Sequence, residues 1–256
     1  MRLLPLLVAL SLAADLESGV TFASEVASGA NPKSKAAVQR YRQGFDQGIT
    51  RTDQLNDVTL QAIRRRMIAR QRVTYKELQM LADRGDGVAA IYLAKRLSAN
   101  PKLTGDAIHY YTIACSTGRP GAVAPLSRLL KVSAESVSQP RLVQAEKTLR
   151  DHAARGNPVA AAQLVKFYKS GRPFGAKPDE VLRLERQAAA GGDSKTALNL
   201  AISMISQGLA SEDEKEEAEH FLSIAQTSSE PSTSAMAAAV MRQLKKEPMN
   251  LVEVSQ

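Results

Sequence analysis

The feature that most constrains the fold is a phrase that begins at a glycine and occurs four times. The glycines follow one another at intervals of 33, 38 and 36 residues: Gly85, Gly118, Gly156 and Gly192. Four residues later the chain has Ala89, Ala122, Ala160 and Thr196. Eight residues after each glycine it has Leu93, Leu126, Leu164 and Leu200. Because residues four apart share one face of a helix, the phrase predicts a helix after each glycine.

A second helix is predicted before each glycine. Small or apolar residues recur at fixed distances upstream, and glycine accepts the left-handed backbone that ends many helices. Asp86, Asn157 and Asp193 follow the glycines directly and are suited to cap the next helix. Two helices in a period of about 36 residues are typical of a helical-hairpin solenoid. We therefore predict an all-α, right-handed superhelical solenoid of antiparallel helix pairs with no sheet.

The repeat predicts the extent of the array. Four hairpins are expected over residues 73–244, with a longer, Ser-rich loop at Lys131 to Pro140. Two helices, near residues 35–45 and 57–71, are expected to cover its N-terminal end. A helix before Glu247 is expected to close the other end, because repeat arrays need polar terminal caps.

These phrases resemble the Sel-1-like repeats, a subgroup of the tetratricopeptide-like solenoids. The pattern Ala-x-x-x-Gly-x-x-x-Ala-x-x-x-Leu runs from Ala114 to Leu126. It recurs from His152 to Leu164, with His152 in place of the first alanine, and from Ala188 to Leu200, with Thr196 in place of the second. The resemblance covers about residues 72–245. It implies a non-catalytic adaptor without a cofactor, and exported bacterial members of the family resemble scaffolds of exopolysaccharide secretion or regulators of envelope signalling.

The N-terminus has the pattern of an export signal. Arg2 precedes an apolar run from Leu3 to Ala14, which is too short to span a bilayer. We expect a signal peptide at 1–23, a basic helical cap region at 24–72, the repeats at 73–246 and a C-terminal tail at 247–256. The expected location is periplasmic or secreted. An uncleaved N-terminus would instead indicate a cytoplasmic adaptor.

The motifs of common enzymes and metal sites are missing from the sequence. The single thiol, Cys115, cannot form an internal disulfide and is expected to be a small buried residue. The histidines 109, 152 and 220 and the 26 acidic residues form none of the familiar catalytic or zinc-binding spacings. We expect no enzyme activity; a polysaccharide-modifying or wall-lytic enzyme is the alternative from another class.

The distribution of charge predicts the kind of partner. Residues 31–72 carry ten basic and three acidic side chains, 10 − 3 = +7, against a formal net charge of +8 for the whole chain. Such a surface attracts an acidic protein or an anionic polysaccharide. Nucleic acid is not favoured, because this region lacks the repeated interleaving of aromatic residues that stacking on single-stranded bases needs. The candidate contact residues are Arg64, Arg65, Arg66, Arg70, Tyr92, Arg96, Arg128, Lys166 and Lys169. The last five are expected to line a concave groove formed by the first helix of each hairpin, and each is also explained by ordinary solvation.

Overall fold

The computed structural model describes Phe45, Asp46 and residues 48–246, and this part of the chain is all-α without strands. It contains eleven α-helices, numbered here in chain order. The first six are α1 (Val58–Ile68), α2 (Tyr75–Ala82), α3 (Gly87–Leu97), α4 (Thr104–Ser116), α5 (Val123–Ser133) and α6 (Gln139–Ala154). The other five are α7 (Pro158–Ser170), α8 (Pro178–Ala190), α9 (Ser194–Gln207), α10 (Glu212–Gln226) and α11 (Pro231–Lys246).

The four repeated glycines all adopt the left-handed backbone that the sequence predicts. Their φ angles are +83°, +72°, +80° and +94° for Gly85, Gly118, Gly156 and Gly192. The predicted caps are also confirmed. The side chain of Asp86 accepts from the backbone N–H of Val88 and Ala89, and those of Asn157 and Asp193 accept from the residue three positions on. Pro158 occupies the first turn of α7, where its missing N–H costs no hydrogen bond.

The helices follow one another as five pairs after α1, so the prediction of four hairpins was wrong. The extra pair is α10 with α11, which make direct contact. The sequence shows only part of the repeated phrase there, because Ser229 stands where the other copies have glycine. Contacts run mainly between consecutive helices. Further contacts join helices two apart: α4 with α6, α5 with α7, α8 with α10, and α9 with α11.

The repeated alanines and leucines form the core of the helix array. Ala89, Ala122 and Ala160 are completely buried, as are Leu93, Leu126 and Leu164, while Thr196 in the fourth copy is half-buried. Buried apolar side chains form two clusters, one from Leu55 to Leu184 and a smaller one from Ala189 to Leu244. The clusters meet along α8, which contributes residues to both.

Two predictions about segments can be compared directly with the structure. The helix predicted near 57–71 is α1, and its N-terminus is capped by the Asp57 carboxylate. The loop predicted from Lys131 to Pro140 was wrong over most of its length, because α5 continues to Ser133, a 3-10 turn follows at Ala134–Ser136, and α6 begins at Gln139.

Other predictions fall on residues that the structure does not describe. The signal peptide at 1–23, nearly all of the helix predicted near 35–45 and the tail at 247–256 lie outside the described residues. Within the described part, no helix combines the length and the apolar character needed to cross a bilayer.

Candidate ligand-binding groove

A groove of about 1070 Å³ lies along α5 and α7. The beginning of α6 and the residues just after α5 and α7 complete its walls. Apolar side chains in its lining include Leu130, Val132, Leu142, Phe167 and Pro173. The charged side chains in its lining are Arg128, Lys131, Glu135, Lys166 and Arg172. The groove therefore combines apolar surface with a formal charge of 4 − 1 = +3.

Most of this positive charge is not neutralised by the rest of the described chain. Arg128, Lys131 and Lys166 are exposed and make no ion pair with any described residue. Arg172 approaches the only carboxylate of the lining, Glu135, but the two atoms are 3.9 Å apart and both side chains are almost fully exposed. An ion pair of that kind contributes little. Three cations thus remain available to an anionic ligand.

One buried hydroxyl in the groove wall has no partner in the part of the chain that the structure describes. Ser127 is only 2% exposed, and its Oγ makes no hydrogen bond to the described residues. It lies nine residues after Gly118, where the other copies have Ala94, Val165 and Ala201. A buried polar group without a hydrogen bond is destabilising. The second repeat thus has a destabilising polar group at a position where the other three copies have an apolar residue.

The repeat places two basic residues of the groove in register with a third basic residue outside it. Lys95, Arg128 and Lys166 each follow their glycine by ten residues, in α3, α5 and α7, and all three are exposed. The equivalent residue of the fourth copy is Ile202. Equivalent positions of successive repeats recur along one face of a repeat array. The helix after the glycine therefore has a basic residue at this register in three copies and an apolar one in the fourth.

The structure corrects the assignment of Arg64 to a partner-binding surface. This side chain is 6% exposed, and its Nε lies 2.7 Å from Oδ2 of Asp86, which is fully buried. Its two terminal nitrogens donate to the Thr52 hydroxyl at 3.0 Å and to the Thr50 carbonyl at 2.8 Å. Arg64 joins α1 to the start of α3, and all its side-chain nitrogens already have partners inside the molecule.

The other three arginines of this segment that were predicted to contact a partner lie at the surface in different surroundings. Arg65 is exposed and donates to the side chain of Gln61 on its own helix. Arg70 is exposed and has a left-handed backbone, with φ +56°, at the end of α1. Arg66 pairs with Glu77. The Thr74 backbone N–H and then the Arg66 guanidinium lower the pKa of Glu77 to about 2.

Arg128 and Lys166 are the two predicted contact residues that line the same groove. Tyr92, on α3, is 42% exposed. Arg96 donates to the Val73 carbonyl at 2.7 Å, and Lys169 pairs with Glu185 at 2.6 Å beside a smaller pocket of about 360 Å³. These residues lie on α3, α5 and α7, the helices after the glycine turns. Their prediction as residues of the first helix of each hairpin was therefore wrong.

Sequence reasoning missed several residues of the groove. Ser127, Lys131 and Arg172 were not among the candidates, and neither were the apolar residues of the lining. A signal for the basic face was present, because Lys95, Arg128 and Lys166 occupy one register of the repeat. The unpaired hydroxyl of Ser127 has no comparable signal, since serine is common at both buried and exposed helical positions.

The thiol of Cys115 and the imidazole of His152 are buried in the helix array, and the imidazole of His109 is partly buried. Cys115 is completely buried, as predicted, and burial raises the pKa of its thiol. His152 is also buried, with Nε2 lying 2.9 Å from the Cys115 carbonyl oxygen, and burial lowers its pKa. Burial also lowers the pKa of His109. Among the described residues, no three His, Cys, Asp or Glu side chains are grouped so that they could hold a metal ion.

Comparison with known proteins adds no family assignment. No protein-family model matches this chain, and no curated protein matches it. The likeness to the Sel-1-like repeats therefore depends on the repeated residues described above.

Proposed function

We propose that the protein is a non-catalytic interaction scaffold of the bacterial cell envelope, in the class that serves exopolysaccharide secretion or envelope signalling. In this proposal the helix pairs form a right-handed Sel-1-like solenoid, and its surface holds an acidic partner protein. The observation that carries the proposal is the basic residue at one register of three successive repeats, two of which, Arg128 and Lys166, line the groove along α5 and α7.

The architecture supports a binding role through repetition. The glycine, alanine and leucine of each phrase are used for turns and core contacts, so sequence variation between copies is directed to the outward positions. Repeat arrays use such positions to build extended binding surfaces. The contact of α5 with α7 brings the surfaces of two adjacent repeats together at the groove.

The charge of the surface supports an acidic partner. Unpaired cations raise the local concentration of anionic ligands and accelerate their association. Arg128, Lys131 and Lys166 provide such a charge in the groove, and Arg65 and Arg70 provide more at the N-terminal end. The acidic stretch Ser211 to Glu219 lies at the other end of the sequence, so a partner is oriented by charge as well as held by contact.

The location and the binding role are tested with protein recovered from its native host. We expect the mature chain to begin near residue 24, and an intact Met1 would contradict the assignment to the envelope. A partner identified by chemical cross-linking in intact cells is then purified, and its affinity is measured between about 0.1 M and about 1 M salt. Binding should weaken across this range, because the Debye length falls from about 10 Å to about 3 Å.

Two variants separate the N-terminal arginines from the groove in that experiment. One carries Arg65→Gln with Arg70→Gln, and the other carries Arg128→Gln with Lys166→Gln; each removes two exposed positive charges. We expect both to weaken partner binding, because both surfaces attract the same anionic partner. A salt-insensitive affinity, unchanged in both variants, would contradict recognition by the basic surface.

A further inference from the structure

We propose that the groove along α5 and α7 binds an extended acidic segment of a polypeptide, with carboxylates paired to Arg128 and Lys166 and apolar side chains against the groove lining. This inference rests on the proposed scaffold function and specifies the chemistry of the ligand. The binding site consists of the groove residues described above, and its ligand is a peptide with acidic residues three positions apart and apolar residues between them.

The helix spacing predicts the spacing of the acidic residues. Helices in contact have axes about 8–10 Å apart, and α5 contacts α7. Arg128 and Lys166 occupy the same register on these two helices, so their charged groups follow the interhelical spacing. A polyproline-II segment rises about 3.1 Å per residue with about three residues per turn, so every third side chain lies on one side. Acidic residues three positions apart would therefore meet both cations.

The apolar part of the lining favours a polypeptide over an anionic polysaccharide. Val132 is 72% exposed in the groove lining, which also includes Pro173. Apolar side chains of a peptide would remove this surface from water, which is favourable. A polyuronate has carboxylates but no apolar side chains to cover Val132. The single aromatic ring of the lining, Phe167, is only 4% exposed, so it offers little face for a sugar to stack on.

The hydroxyl of Ser127 supplies a second, independent indication of a ligand. This buried group borders the groove and has no hydrogen-bond partner among the described residues. A hydroxyl can donate one hydrogen bond and accept others, and each peptide unit offers a donor and an acceptor. The backbone of a bound segment would supply the partner that the described residues do not, provided that the groove wall shifts to admit it, because the Oγ itself has almost no solvent-accessible surface.

The test selects ligands from a display library of short random peptides against the whole protein. Two double variants are used alongside the wild type. Arg128→Glu with Lys166→Glu reverses the groove charge, whereas Lys76→Glu with Arg242→Glu makes the same change in net charge at two exposed cations outside the groove lining. Circular dichroism and melting confirm that both variants keep the fold. Oligomers of a polyuronate are titrated in parallel.

The expected selection is rich in peptides that have acidic residues three apart and apolar residues between them. Their affinity should fall by about tenfold or more in the groove variant, because two ion pairs are replaced by repulsion, and should change little in the control variant. No acidic enrichment, acidic residues without this spacing, or equal binding to the groove variant would overturn the proposal. Tight binding of the polyuronate without selection of acidic peptides would also overturn it.

Ser127→Ala provides a second test, because a residue with a purely structural role would not change stability and peptide affinity in opposite directions. The variant should melt at the same or a higher temperature than wild type, since it removes an unpaired buried hydroxyl, yet it should bind the selected peptides more weakly. Unchanged peptide affinity in this variant would show that the hydroxyl does not contact the ligand and would remove it from the site.

If the peptide selection fails while the cellular partner still binds with salt dependence, the groove assignment is wrong and the scaffold function stands. If the peptide selection succeeds but no cellular partner binds, the groove assignment stands and the proposed scaffold function is wrong.

Discussion

At the residue scale, the pair formed by Arg64 and Asp86 shows how a charged side chain becomes part of the core. Asp86 is fully buried, accepts from two backbone N–H groups at the start of α3 and contacts the guanidinium of Arg64. The remaining donors of Arg64 also have oxygen partners. A buried charge is tolerated when it is paired and hydrogen-bonded, and both ions meet that condition here.

Removing one member of this pair should strongly destabilise the protein. We expect Arg64→Met to lower the free energy of unfolding by about 3–5 kcal/mol, because the Asp86 carboxylate would stay buried without its cation. The matched control is Arg65→Met, the exposed neighbour on the same helix, with an expected change within about 0.5 kcal/mol. Urea denaturation measures both. Equal stability of the two variants would contradict the buried position of Arg64.

His152 should make the stability of the protein depend on pH. Burial lowers its pKa below the ordinary 6.5, so the unfolded chain takes up a proton at a higher pH than the folded chain. The stability contributed by neutral His152 is therefore fully present above pH 6.5 and is lost as the pH falls toward the folded pKa. The hydrogen bond with the Cys115 carbonyl and then the charge of Asp151 oppose this lowering of the pKa, and Arg155 adds to it, each less than burial does.

Denaturation midpoints at about pH 7.5 and about pH 5 test this, since ordinary carboxyl groups titrate mostly below that window. We expect a lower midpoint at the acidic pH in the wild type and a smaller drop in His152→Leu, which places at this position the residue that the first repeat has at Leu81. Some pH dependence should remain, because burial also lowers the pKa of His109. An identical drop in both proteins would exclude His152 as its source.

At the element scale, small residues determine how closely the helices of this array approach one another. Ala160 of α7 is completely buried, whereas Ala162, on the same helix, is exposed. A large side chain at Ala160 must displace its neighbours, whereas one at Ala162 extends into solvent. The two alanines therefore form a matched pair within one helix.

Ala160→Phe should destabilise the protein by about 1–3 kcal/mol through overpacking. Ala162→Phe should have a much smaller effect, because aromatic residues differ only slightly from alanine in helix propensity. Thermal melting of the two variants measures the difference. A neutral Ala160→Phe would show that the buried face of α7 is assigned in the wrong register.

The repeat was readable from the sequence because its determinants are local. A glycine with positive φ, a capping residue beside it and a period of four residues all act within a few positions, and these predictions agree with α3, α7 and α9. The last helix pair was not counted as a hairpin because its copy of the phrase lacks the glycine, although the helix predicted before Glu247 is α11, and the end of α5 was misread because serines suggested a loop. Packing against neighbouring helices outweighs such local preferences.

The candidate site was only partly predictable, because it depends on contacts between distant residues. Arg64 looked like any other member of its basic segment, and its burial follows from Asp86, 22 residues further along the chain. Arg128 and Lys166 were identified individually, but their meeting in one groove follows from the contact between α5 and α7. Single residues could be proposed from the sequence, whereas their grouping required the fold.

At the scale of the whole molecule, the core is divided unequally between the two clusters that meet along α8. The larger cluster has 34 buried apolar residues and the smaller has 11, six of which are alanines. An alanine removes much less apolar surface from water than a leucine does, so the smaller cluster gains less from burial. In an array whose helices contact mainly their neighbours, such a segment can open without the rest.

We therefore expect backbone amides of α9 to α11 to exchange with solvent faster than those of α2 to α7, as measured by hydrogen–deuterium exchange with mass spectrometry.

Two matched variants test the division, because Leu222→Ala truncates a fully buried leucine of the smaller cluster and Leu93→Ala truncates one of the larger. Each substitution should cost about 2–5 kcal/mol. Leu222→Ala should accelerate exchange mainly in α9 to α11 and leave α2 to α5 protected, because those helices can stay folded while the smaller cluster opens. Leu93→Ala should accelerate exchange in α2 to α5 instead. Acceleration of exchange throughout the chain in both variants would show that the two clusters unfold as one cooperative unit.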